Sequence, residues 1–394
     1  MNIETNSLWT WQPVPPGKDY HSEWAQKSDT LPAGFNLIAA RVRGKRHKHE
    51  GTHCDDWFEI ARSGEWGIIA VSDGAGSKRF SRVGARVACE RAVNYLVKQL
   101  HTHQIVARKI WSNETFARNK GGQFKAQDIE LTQQFLHEAI QAAYQGIEAA
   151  CCARDRLKYY YKALGHRDLT LDDFATTLLL AVHTTVFYHS TQYSLVLACQ
   201  VGDGLSVAID KNKALVLGEI ENNHFCGETH FLTSSRRQLE RDYLSAKTFP
   251  FFSPMQALMV MTDGVSDDYY PPDTGMLRLF GDLILNGIIP VTVSDSREKR
   301  QATVKAEAYT VIEERITEKG RIPTPIVLID EYAKILKLSI AELMADPDLL
   351  AAGIPLELLE KKASIPASRL LTWLDTYQIR GSFDDRTLVV LYNR

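Results

Sequence analysis

The sequence predicts an α+β fold, with helices packed on the outside of mostly antiparallel sheets. Two observations predict it. Apolar residues recur at helical spacing in two long stretches, between Ser81 and Leu100 and between about Asp128 and Ala153. Strand-like apolar runs stand before and after that helical pair, and in the later ones the period changes to two.

The elements follow in order. "NLIAARVRG" from Asn36 reads as a strand, and "GIIAVSDG" from Gly67 as a second, ending in Asp73 and Gly74. In the first helix Val83, Val87, Ala88, Ala92, Leu96 and Leu100 share a face, and Ser81 is the expected cap. "HTHQIVARKIWSNETFARNKGGQFK" from His101 breaks the period and reads as a connection. In the second helix Ile129, Phe135, Ile140, Ala143 and Ile147 line up. "DDFATTLLLAVHTTVFYH" and "QYSLVLACQVGDGLSVAI" are strand-rich, with a turn at Gly202 to Gly204. "QALMVMTDG" is the next strand and "DDRTLVVLY" from Asp384 the last. A core-like strand thus follows the helical material between about 270 and 380. That material is therefore expected as an insertion within one domain spanning 36–394. The first 35 residues, with three tryptophans and several prolines, are expected as an arm packed on the surface, because exposed tryptophans are costly.

Composition narrows the function classes. The 394 residues are 44% hydrophobic and 24% charged, with a net charge of -2, which is ordinary soluble composition. It argues against a nucleic-acid binder, although "RVRGKRHKH" from Arg41 could form a local basic patch. No run reaches transmembrane length, and the N-terminus lacks the charged start and apolar core of a signal peptide. No membrane partner and a cytoplasmic location are expected. The six cysteines form no CxxC pair and read as mostly buried thiols in a reducing compartment.

Acids abut the apolar runs. "IIAVSDG" ends in Asp73, "LMVMTDG" in Asp263, and "FDDRTLVVLY" begins with Asp384 and Asp385. Asp55 and Asp56 in "THCDDWFEI" and Asp203 after "LACQV" repeat the pattern. Strand ends hold carboxylates in fixed geometry, and crowded carboxylates raise one another's pKa. A divalent cation removes that penalty, and an all-oxygen set favours magnesium or manganese over zinc. Taken singly, Asp-Gly at a strand end is a common turn signal. Asp267 and Asp268, which follow Asp263, read as turn or rim residues.

"HCDDWF", "VSDGAGS", "FATTLLLAV", "QVGDG", "MTDGVSDD" and "SFDDRTLVVL" occur in the order of the motifs of the metal-dependent protein phosphatases of the 2C family. The chain resembles that family, in a divergent bacterial branch. The resemblance implies a four-layer αββα sandwich, helices on both outer faces, and two or three Mn2+ or Mg2+ ions in an edge cleft. It implies that Asp73 bridges two ions, with the Gly74 carbonyl on one of them and Asp263 and Asp384 completing the first ion's shell. Asp55 and Asp56 would hold the second ion or its waters, Asp203 a third, and Thr176 and Thr177 would stand behind the site. The catalytic set would be Asp56, Asp73 and Asp263. The implied activity is hydrolysis of phosphoserine and phosphothreonine in proteins by a water activated between two metals, with no covalent intermediate. A phosphorylated protein is the implied substrate and a cognate serine/threonine kinase the implied counterpart.

The chain also departs from the pattern. Ala75 stands where some members carry a histidine, Ser77 replaces a glycine, Ala175 replaces another, and Gly204 follows Asp203 in place of serine. Arg46 and His49 are the candidates for phosphate binding. Two alternatives remain open: a non-catalytic module that binds phosphoproteins, and a phosphatase for a small phosphorylated metabolite. The His47, His49 and His53 spacing also raises a zinc hydrolase, for which the further ligands have no place.

Overall fold

The computed structural model describes residues 10–17, 19, 21–102, 127–188, 191–211, 213–219, 229–291, 328–354, 366–376 and 383–393. The chain opens with β1 (Trp24–Thr30), β2 (Phe35–Val42), the short α1 (Lys45–Glu50), β3 (Trp57–Ser63) and β4 (Trp66–Ser72). Then come α2 (Ser81–Thr102), α3 (Gln127–Cys151), α4 (Arg154–Ala163), β5 (Leu178–Tyr188), β6 (Thr191–Val201), β7 (Leu205–Asp210) and β8 (Lys213–Val216). After α5 (Arg241–Ala246) follow β9 (Thr248–Ser253), β10 (Ala257–Met261), α6 (Asp263–Ser266) and α7 (Pro272–Leu285). The last part holds α8 (Ile329–Leu336), α9 (Ile340–Met344), α10 (Pro347–Ala352), α11 (Pro366–Thr376) and β11 (Arg386–Asn393).

The strands form two antiparallel sheets, ordered β1-β2-β11-β10-β7-β8 and β3-β4-β5-β6-β9. They face each other, with α2 and α3 outside the second sheet and α7 to α11 outside the first. This is the four-layer αββα sandwich that the fold class called for.

The layering explains why the central strands are apolar throughout. In β10, Leu258 and Val260 enter the core between the sheets with Ile69 and Leu179. Ala257, Met259 and Met261 enter the core under the outer helices with Leu279, Leu283 and Leu370. In β4, Ile69 and Val71 face inward while Ile68 and Ala70 meet the α2 and α3 side. An antiparallel sheet with one wet face would alternate with polar residues; here both faces are covered. Burying each such side chain contributes roughly 1.5–3 kcal/mol.

Edge strands were less legible. Residues 24–30 of the arm, "WAQKSDT", form β1, which pairs only with β2 and is mostly exposed. β9, at the other sheet's edge, carries Pro250, which an edge tolerates. The rest of the described arm is held by side chains. Arg43 donates to the Gln12 carbonyl, and Arg156 pairs with Asp19.

Two local expectations are corrected. The stretch from Arg41 to His49 is not a basic surface patch. Arg41 and Arg43 are each 1% exposed; Arg41 lies over the Trp57 ring, and residues 45–50 turn into α1. Ser81 does not cap α2 from outside, since it is the first helical residue and its hydroxyl donates to the Lys78 carbonyl at 2.9 Å.

The described parts of 270–380 share one core with β2, β7, β10 and β11. The buried Asp282 carboxylate ties α7 to α8, accepting from Tyr269 Oη at 2.7 Å and Ile329 N at 2.5 Å. Residues 292–327 of the helical material expected between about 270 and 380, most of the connection after His101, and Cys226 lie outside the described residues. The other five cysteines are free; Cys54, Cys89 and Cys199 are buried, and Cys152 is exposed.

Candidate metal centre and adjoining pocket

Antiparallel pairing delivers the acids to one edge of the sandwich. β3 starts just after Asp56, and its Trp57 pairs with Ser72, next to Asp73. Asp203 lies in the turn between β6 and β7, and Leu205 pairs with Met261, two residues before Asp263. Met261 pairs in turn with Leu388 near the start of β11, which follows Asp384 and Asp385.

Carboxylate oxygens of Asp73, Asp203 and Asp263 all lie within 4.8 Å of one another. The backbone of Asp73 is clamped. Its N–H donates to Thr177 Oγ1 at 2.9 Å, and its carbonyl accepts from Thr176 Oγ1 at 2.7 Å and Thr177 N at 2.8 Å. Asp203 sits between Gly202 (φ 97°) and Gly204 (φ 93°) and accepts from Thr229 Oγ1 at 2.7 Å. The left-handed turn requires Gly204 where the family pattern has serine. Gly74 and Gly264 serve a different need, close approach. A Cβ on Gly264 would lie 1.9 Å from the Asp385 carbonyl, and one on Gly74 2.7 Å from the Asp55 carbonyl.

Asp56 is 1% exposed and bridges the sheets, accepting from Thr262 Oγ1 at 2.9 Å and Thr387 Oγ1 at 2.7 Å. Asp384 falls outside the trio and groups with His47 and Asp385. Its neighbour Asp385 is buried and accepts from Gly44 N and Asp55 N, each at 2.6 Å, with His47 Nδ1 at 2.9 Å. Asp268, read as a rim residue, is instead buried against Arg386 at 3.1 Å. Asp267 is exposed, as a rim position requires.

The acids repel one another. Burial, then the charges of Asp263, Asp56 and Asp203, lift Asp73 well above the usual carboxylate range. Burial and Asp203 push Asp263 up to about 7. Burial and the Asp385 charge push Asp55 to about 7, against the pull of His47 and Arg82. Burial opposes charge on His47, but Asp385, with Asp55 and Asp384, overcomes it and raises His47 to about 10. The trio reaches solvent, offers only oxygen donors, and carries uncompensated repulsion. Such a set fits Mg2+ or Mn2+.

A pH prediction follows. Asp55 and Asp263, with folded pKa values above the ordinary 3.8, cost nothing below about pH 4 and progressively destabilise the metal-free fold up to about pH 7. The gain in thermal midpoint on adding Mn2+ is therefore expected to grow from pH 5 to pH 8, read by melts with and without chelator. A gain that shrinks over that range would contradict the repulsion.

Asp55, whose carbonyl lies close against Gly74, also lines a pocket of about 320 Å³. Arg46, His47, Lys78, Arg79 and Arg82 line it with Asp55, and Pro15, Pro16, Gly17 and Asp19 of the arm contribute to its wall. Arg46 thus borders it, ion-paired with Glu50 at 3.1 Å. His49 does not line it; its Nδ1 meets Thr10 Oγ1 at 3.0 Å. His53 lines it too, lowered to about 4 by burial and by Arg82. Among the described residues the three histidines of the zinc alternative share no common group. Sequence reasoning missed Arg82, His47 as a partner of Asp385, and the role of Asp385 itself. The doublet Asp384–Asp385 was the only signal for the last, while Arg82 carried none.

A family model for protein phosphatase 2C matches residues 43–287. The chain belongs to that family. The match contains Asp55, Asp56, Asp73, Gly74, Asp203 and Asp263, while Asp384 lies beyond it. No curated protein matches the sequence. Among solved structures, RsbX in complex with magnesium aligns at 11% identity and TM-score 0.36, covering 94% of this chain and 100% of its own. The serine/threonine phosphatase Stp1 from Staphylococcus aureus aligns at 10% identity and TM-score 0.35, covering 98% of each chain. No helix among the described residues is long and apolar enough to cross a membrane.

Proposed function

We propose that the protein is a metal-dependent phosphatase of a divergent bacterial branch of the family, acting on phosphoserine and phosphothreonine in proteins. The observation that carries this reading is the convergence of Asp73, Asp203 and Asp263 from different strand ends to within 4.8 Å. Two or three Mn2+ or Mg2+ ions, when bound, supply a nucleophilic water at neutral pH and neutralise phosphoryl oxygens. Asp73, Asp203 and Asp263 would hold them, the Gly74 carbonyl would be a further donor to one of them, and Asp384 would flank from just before β11. Asp56, fixed by Thr262 and Thr387, sets the position of the water-side acids, and Asp55 stands between them and the basic pocket. Arg46 guides the incoming phosphate. Ala75 has no proton to give, so the leaving oxygen is protonated from solvent at the cleft. A cognate kinase would supply the phosphorylated substrate.

The test is release of aryl alcohol from an aryl phosphate. Turnover is expected to need Mn2+ or Mg2+, to vanish with chelator and to return on adding metal. A phosphoserine peptide is expected to be turned over in preference to a small sugar phosphate. Folded protein without any metal-dependent release would sink the assignment in favour of a binding module.

A further inference from the structure

Of the acids proposed to hold metal, only Asp55 lines the basic pocket. The pocket's lining includes Asp19 of the arm and Tyr159 of α4 and none of Asp73, Asp203 and Asp263. Arg82, 6% exposed, lines this cavity. Its Nε donates to the Asp19 carbonyl at 3.1 Å and its Nη1 to the Arg79 carbonyl at 2.7 Å. Carbonyls satisfy and orient the guanidinium without cancelling its charge, while the carboxylates of Asp55 and Asp19 act on it from the same cavity. The Asp19 carboxylate, also buried, is engaged by Arg156. Lys78, Arg79 and Arg46 also border the cavity, Arg46 being paired there with Glu50. Arg79 is exposed, and Lys78 makes only a surface pair with Asp172, of the kind worth little in water. The volume, about 320 Å³, is that of a ligand pocket, and it does not overlie the acid trio where the scissile group is placed.

We propose that this pocket is a second anion subsite, which takes an acidic or phosphorylated side chain neighbouring the phosphoresidue and so selects doubly anionic phosphopeptides. The proposal rests on the phosphatase reading. Arg82 is the anchor, held rigid before substrate arrives, and Lys78 and Arg79 close on the anion from the solvent side.

The test compares three peptides carrying one scissile phosphoserine. In the first it is flanked on both sides by alanine, in the second by glutamate, and in the third by a non-hydrolysable phosphonate analogue of phosphoserine on each side. With Mn2+, kcat/KM for the second or third is expected to exceed the first by about tenfold, chiefly through KM. Gain with glutamate assigns a carboxylate ligand, and gain with the phosphonate a phosphate. In Lys78→Ala/Arg79→Ala, both positions bordering solvent, that ratio is expected to fall below about threefold; Arg82→Gln should abolish it if the variant folds. Equal kcat/KM for all three peptides, or an unchanged ratio in the double variant, overturns the subsite. Aryl phosphate turnover with flat peptide selectivity leaves the phosphatase reading standing and removes only the subsite. If neither aryl phosphate nor peptide is turned over, fluorescence anisotropy of the same labelled peptides decides. About tenfold tighter binding of a doubly anionic peptide supports the subsite, and equal binding overturns it.

Discussion

Asp263→Asn is expected to lower metal-dependent turnover by at least about a hundredfold while raising the stability of the metal-free protein at pH 8. The two effects have one cause. The Asp263 oxygen lies within 4.8 Å of those of Asp73 and Asp203, and burial with the Asp203 charge holds its pKa near 7. An asparagine keeps the shape and a neutral oxygen but removes one of three converging charges. Without metal that relieves repulsion; with metal it takes away an anionic donor. Kinetics against Mn2+ concentration and thermal melts with chelator read the two signs separately. A rate within threefold of wild type would show that the trio is not the metal centre. Loss of rate together with loss of metal-free stability would point to a folding defect instead.

The second large effect is on stability. Asp385→Asn is expected to cost about 3–5 kcal/mol, measured as a shift in urea midpoint without a large change in slope. One Asp385 carboxylate serves Gly44 N, Asp55 N and His47 Nδ1, partners 341, 330 and 338 residues away in sequence. Replacing it leaves a buried imidazole with only the weaker counter-charges of Asp55 and Asp384. The pH window follows from the signs. His47, raised to about 10, contributes stability that is whole below its ordinary 6.5 and lost as pH rises towards 10. Asp385, held low by His47 and its N–H donors despite burial, contributes above its ordinary 3.8 and loses that contribution in acid. The variant should therefore differ most from wild type near pH 5 to 6, and the difference should shrink towards pH 10 without vanishing, because the Gly44 and Asp55 N–H bonds to the carboxylate remain. A midpoint shift worth less than about 0.5 kcal/mol at pH 6 would remove Asp385 as the tie between β2, α1 and β3.

The elements that could be read from the chain are those whose burial is written into local periodicity. β4, β10 and β11 are apolar on both faces because each lies between two cores, and α2 and α3 repeat at helical spacing. β1, half on the surface and polar, had no such pattern, and β9 carried a proline that masked it. The arginines at 41 and 43 looked like a surface patch because charge is normally solvated. Their burial depends on the Trp57 ring and on the backbone carbonyls of Gln12 and Ser22 in the arm and of Thr52.

By itself the sequence determined that acids stand at strand ends, that Asp73, Asp203 and Asp263 are followed by glycine, and that the motifs occur in the order of the 2C phosphatases. Only the tertiary structure decided which acids meet. Asp73, Asp203 and Asp263 converge, Asp385 rather than Asp384 becomes the buried tie, and Arg82 opens onto a pocket beside Asp55. The physical reason is that spacing along a chain sets which face a residue takes. Distance between residues hundreds of positions apart is set by strand register and by which layers cover the sheets, and those arise only when the whole sandwich is packed.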